Sequence, residues 1–180
     1  MRRRRRQRDQ VREQRRDDGA TDEMLQDVRA LLRETVATTL EHLDPSIARA
    51  RLARVAEIDA EIEAEGLDDR APGQWFADLA LTTWLMTAGR SREGGGLAQS
   101  VLAWVAANLG PVGSALERIA VGLLDEPHDM EAIEGAIDEL DDDFLPSLVW
   151  LVAGAVAVAG EGDVAWLDRL DGDREIATRP

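Results

Sequence analysis

The sequence predicts an all-α protein, and three observations support this fold class. Apolar residues recur every three or four positions, no run alternates as a strand would, and the seventeen residues 144–160 contain no charge. We expect an irregular bundle of about eight helices. The alternative is a short α-solenoid of helix pairs, because Pro72, Pro111 and Pro146 precede apolar segments at intervals of 39 and 35 residues.

The first segment is opposite in charge to the rest of the chain. Residues 1–16 hold nine arginines and two acids, a net charge of +7, whereas residues 17–180 hold 12 arginines and 34 acids, a net charge of −22. We expect residues 1–20 to form a disordered or frayed basic arm, unless translation of the native protein starts at Met24. Its candidate contacts to phosphate or to an acidic partner are Arg2, Arg3, Arg4, Arg5, Arg6 and Arg8.

Residues 21–66 predict a helical hairpin. Thr21 or Asp22 would cap the first helix, and the pair Asp44–Pro45 would end it and begin the second, which Gly66 would close. In the second helix the arginines precede the acids, an order that opposes the helix dipole. We therefore expect neighbouring charges to compensate, and we expect this hairpin to be the segment through which the chain could form a homo-oligomer.

Residues 67–172 predict a helical core, and residues 173–180 a frayed tail. The expected helices are 74–88, 97–109, one that starts at 110–111 and runs to 124, 129–140, 144–159 and 163–170, with a loop at 90–96. The uncharged run 144–160 is short for a membrane span and has acids on both sides. We therefore expect it to be the central buried helix and expect no membrane contact.

One segment concentrates negative charge. Residues 125–143 hold ten acids and no arginine, and within them Glu131, Glu134 and Asp138 share one helical face. Three aspartates follow at the expected end of that helix, where they would oppose its dipole. We define the acidic face as Glu131, Glu134, Asp138, Asp141, Asp142 and Asp143. We interpret it as a candidate surface for a basic protein partner or for the chain's own arginine arm.

Catalytic, metal and cofactor sites have no support in the sequence. The chain lacks cysteine and lysine, and its two histidines, His42 and His128, belong to no metal-binding motif. The three glycines 94–96 lack the strand and lysine of a phosphate-binding loop. We therefore predict no catalytic residue, no metal and no cofactor.

The leading functional hypothesis is a non-enzymatic, cytoplasmic interaction or adaptor protein that binds a protein partner through the acidic face. A first alternative is a nucleic-acid-associated protein that uses the arginine arm. A second is a helical regulator that binds a small molecule in a pocket formed by some of the five tryptophans, although plain core packing also explains them.

Overall fold

The computed structural model describes residues 23–65, 71–89, 97–124 and 129–170. Within these ranges no residue lies in a strand, and seven α-helices have nine or more residues. They are α1 (23–42), α2 (Pro45–Glu65), α3 (Pro72–Gly89), α4 (Leu97–Asn108), α5 (Ser114–Gly122), α6 (Met130–Leu140) and α7 (Phe144–Ala159). A 3-10 turn, Asp141–Asp143, joins α6 to α7, and residues 166–170 form a last short helical segment. The predicted all-α multi-helix bundle is confirmed, while the basic arm, the loop 90–96, the hairpin caps at Thr21, Asp22 and Gly66, and the tail lie outside the described residues.

Helix α7 lies at the centre of the bundle, as its lack of charge predicted. Ten of its sixteen residues are buried, and it packs against α2, α3 and α4. Small residues permit close approach: a Cβ atom at Gly154 would lie 2.8 Å from Val101 Cγ1 on α4. Three helices thus pack around one central helix, whereas α5 and α6 pack mainly against each other.

The segment Met130–Ala159 is long and apolar enough to cross a membrane. It spans 30 residues, and its most apolar 18-residue window has a mean hydropathy of 1.5. However, 56% of that window is buried inside the protein, and the core helix of a soluble protein meets the same criteria. The segment is therefore only weak support for a membrane location.

The junction between α1 and α2 forms as the sequence predicted. The Ser46 backbone N–H donates to Asp44 Oδ1 at 2.9 Å, and Pro45 is the first residue of α2. This hydrogen bond from the Ser46 backbone lowers the pKa of Asp44 below its ordinary value. Leu43, directly before the cap, has a φ of +50°, a left-handed conformation that disfavours residues with a Cβ atom.

Compensating charges are present around the N-terminal half of α2. Arg49 donates to Asp143 Oδ1 through Nη2 at 2.6 Å and through Nε at 2.9 Å. Arg51 lies 3.7 Å from a carboxylate oxygen of Glu34 on α1. Acids from two other elements therefore balance arginines that the α2 dipole alone would disfavour.

The acidic half of α2 also has partners. Arg54 donates to Glu57 at 2.8 Å, and this hydrogen bond raises the pKa of Arg54. Asp59 Oδ1 accepts the backbone N–H of Gly73 at 3.1 Å, so a carboxylate of α2 caps the start of α3. A Cβ atom at Gly73 would clash with the other Asp59 oxygen unless that side chain moved.

Helix α5 begins later than predicted. The expected start at Gly110 is wrong, because Gly110 has a φ of +124° and the chain stays non-helical until Ser114. Gly113 is the extended N-cap residue.

A buried hydrogen bond connects α5 to α3. The backbone carbonyl of Ala120 on α5 accepts the indole N–H of the fully buried Trp84 on α3 at 2.8 Å.

Candidate functional site

Helix α6 places the first half of the acidic face on the outside of the bundle. Asp129 caps the helix by accepting the Ala132 N–H at 3.1 Å. The opposite side of α6 is apolar: Ala136 is buried with Ile119 of α5, and Ile137 and Leu140 pack against the same cluster. Packing of the apolar side orients Glu131, Glu134 and Asp138 toward solvent, and all three are exposed.

The three aspartates of the acidic face lie in the 3-10 turn between α6 and α7. Asp141 has a φ of +48°, and the backbone changes direction there. Asp141 and Asp142 are exposed, whereas Asp143 is half-buried and is the N-cap residue of α7. These aspartates follow the C-terminal end of α6, whose dipole they oppose as expected, and they also lie at the positive end of α7, where carboxylates are favourable.

Most carboxylates of the acidic face have no arginine partner in the described part of the chain. Asp143 pairs with Arg49, and the neighbouring Glu139, outside the acidic face, pairs with Arg118 of α5. No arginine of the described ranges lies within ion-pair distance of the remaining five, which are Glu131, Glu134, Asp138, Asp141 and Asp142. The structure thus brings together a surface of one sign whose charge the described residues do not neutralise.

The other candidate groups do not assemble into a reactive site among the described residues. No group of three or more acids or histidines there could hold a metal ion. His42 is exposed and lies 3.9 Å from Glu41, and His128 falls outside the described residues. The arm residues Arg2, Arg3, Arg4, Arg5, Arg6 and Arg8 also fall outside them.

The tryptophans pack in the core, and two clefts lie elsewhere among the described residues. Trp84 is fully buried, and Trp75, Trp104, Trp150 and Trp166 are half-buried against the same hydrophobic clusters. One cleft, of about 280 Å³, lies between α2 and the start of α7, and another, of about 380 Å³, lies between α1, α3 and the last helical segment. No tryptophan lines either cleft.

The chain has no match among protein-family models, curated proteins or solved structures. Functional inference therefore depends on the geometry and charge described above.

Proposed function

We propose that this protein acts by binding rather than by catalysis, as a cytoplasmic interaction or adaptor protein. In this proposal the acidic face binds an arginine- or lysine-rich segment of a protein partner. One observation supports the proposal above all: five exposed carboxylates without a described arginine partner follow one another over α6 and the adjoining turn. Complementary charge of this kind contributes mainly to association rate and to partner choice.

Two features favour a protein ligand over a small one. Glu131, Glu134 and Asp138 are exposed and line neither of the clefts described above, so the helical part of the acidic face is open to solvent. Carboxylates that repeat along a helix can pair with several cations of one extended basic segment, and arginine binds carboxylates through two parallel hydrogen bonds. The proposal allows self-association through residues 21–66 and requires no membrane.

A titration with a synthetic octa-arginine peptide tests the proposed surface. The wild type is compared with the face variant, Glu131→Gln/Glu134→Gln/Asp138→Asn, and with a control variant, Glu23→Gln/Asp27→Asn/Glu65→Gln. The control neutralises three exposed acids on α1 and α2 and so changes the net charge equally. We expect amide NMR shifts centred on α6 that weaken in the face variant and persist in the control. Equal weakening in both variants would show that binding depends only on the net charge of the protein.

Nucleic-acid binding through the arm is the second candidate, because residues 1–16 have a net charge of +7. Nonspecific binding to DNA that falls steeply with salt would support it. The test replaces Arg2, Arg3, Arg4, Arg5, Arg6 and Arg8 by glutamine, which should abolish a gel shift at low salt. A shift that survives this replacement would contradict the arm hypothesis.

A further inference from the structure

A cleft with both apolar and cationic side chains lies away from the acidic face. It encloses about 380 Å³ between α1, α3 and the last helical segment, a volume within the range of small-molecule sites, roughly 300–1,000 Å³. Leu32 and Leu79 are apolar parts of its lining but are almost completely buried, so the half-buried Leu167 offers the more accessible apolar surface. An apolar group in the cleft would lie against these side chains.

Two arginines of α1 line the same cleft. Arg29 and Arg33 are one helical turn apart, so both side chains project from one side of the helix. They are two of the 21 arginines in a chain whose net charge is −15. Asp168 lines the same cleft, so an anionic group there would meet two cationic side chains and one carboxylate.

The structure already shows how a carboxylate binds at this position. Arg33 Nη1 donates to both oxygens of Asp168, at 2.8 and 3.0 Å, and both side chains are about half exposed. Within the described residues, Nε and Nη2 of Arg33 make no hydrogen bond. A guanidinium has five N–H donors, so three of them can still serve a second carboxylate.

We infer that this cleft binds an amphipathic monocarboxylate, whose carboxylate pairs with Arg33 while its apolar tail lies against Leu32, Leu79 and Leu167. A planar carboxylate matches the fork of the guanidinium. A dianion such as a phosphate monoester suits the site less well, because Asp168 and the acidic body repel each additional negative charge. This site is independent of the acidic face.

Octanoate is a suitable probe, with octanol as the control that keeps the tail and acetate as the control that keeps the charge. Titrations of the full chain would be followed by amide NMR shifts. We expect saturable shifts at Leu32, Leu79 and Thr83 with octanoate, and weaker ones with either control compound. The absence of saturable octanoate shifts at these positions would overturn the inference.

Two substitutions of the same ion pair give opposite expected results. Arg33→Gln removes the cation and should weaken octanoate binding about fivefold, whereas Asp168→Asn removes the competing carboxylate and should strengthen it by a factor of about two to five. Arg118→Gln, which breaks an ion pair elsewhere, should leave binding unchanged. Because Arg33→Gln and Asp168→Asn break the same contact, equal losses in both would show a structural effect and would contradict the carboxylate site.

Discussion

At the scale of single residues, Asp44 determines where the α1–α2 turn ends. Its carboxylate accepts the Ser46 N–H, and this hydrogen bond lowers its pKa. A lowered folded-state pKa means that the carboxylate contributes stability above its ordinary pKa of 3.8 and loses that contribution as the pH falls through the lower folded value. At low pH, Asp44 should therefore no longer stabilise the folded state.

We predict that Asp44→Ala lowers the free energy of unfolding at neutral pH and that this loss shrinks as the pH falls below about 3.8. Urea denaturation of both proteins over a pH series measures the difference. Asp44→Asn is the control, because asparagine keeps a capping oxygen without the charge and should show a smaller loss at neutral pH. A loss for Asp44→Ala that is independent of pH would contradict the assigned hydrogen bond.

Leu43 occupies a left-handed conformation at the end of α1 and is 42% exposed. Glycine has no Cβ penalty there, so Leu43→Gly should raise the free energy of unfolding by about 0.5–1 kcal/mol, net of its greater chain entropy. Leu43→Ala is the matched control, because it shortens the side chain but keeps Cβ, and it should not stabilise. Thermal or urea denaturation distinguishes the two, and destabilisation by Leu43→Gly would show that the leucine side chain matters more than the backbone.

At the scale of elements, two helical glycines have opposite surroundings. Gly154 of α7 faces α4, where a Cβ atom would lie 2.8 Å from Val101 and 3.0 Å from Val105. Gly135 of α6 is exposed, and a Cβ atom there would have no atom of another element within 4 Å. Alanine at Gly154 should lower the free energy of unfolding by about 1–3 kcal/mol through overpacking. Alanine at Gly135 should raise it by roughly 0.5–1 kcal/mol through helix propensity.

Chemical denaturation of the two single variants checks this pair. Both substitutions add one methyl group to a helical glycine, so a common effect of helix propensity cancels in the comparison. If Gly154→Ala stabilised the protein as much as Gly135→Ala, the close approach of α4 and α7 would be wrong.

Elements whose signals are local in the sequence were predictable. The uncharged run predicted the bounds and burial of α7, and the helical spacing of Glu131, Glu134 and Asp138 predicted the exposed side of α6. Helix α5 was predicted to start too early because Pro111 can begin a helix, whereas Gly110 has a φ of +124° and Gly113 is extended, so the chain is not helical before Ser114. Local sequence cannot show which of these effects prevails.

Pairs between distant residues were not predictable. Arg49 and Asp143 are separated by 94 positions, and Arg33 and Asp168 by 135, so only the tertiary fold brings them together. The sequence indicated that the charges of α2 needed partners, but it could not name them. The cleft at Arg33 could therefore not be predicted from the sequence. The acidic face could be predicted, because its residues lie close together in the sequence.

At the scale of the whole molecule, the acidic face contributes little to folding. Its described members are mostly exposed and lack arginine partners, and such surface substitutions usually change stability only slightly. We predict that the face variant changes the free energy of unfolding by no more than about 0.5 kcal/mol, as measured by urea denaturation. A larger loss of unfolding free energy would show that these carboxylates stabilise the fold.

The most direct test of the acidic face is comparative affinity capture from a lysate of the cells that make this protein. Wild type, face variant and control variant serve as baits, and quantitative mass spectrometry compares what each retains. We predict that one or a few basic proteins are retained by the wild type and the control variant and are lost from the face variant. Retention that is the same on all three baits, or that falls equally with both variants, would contradict a specific binding surface on α6.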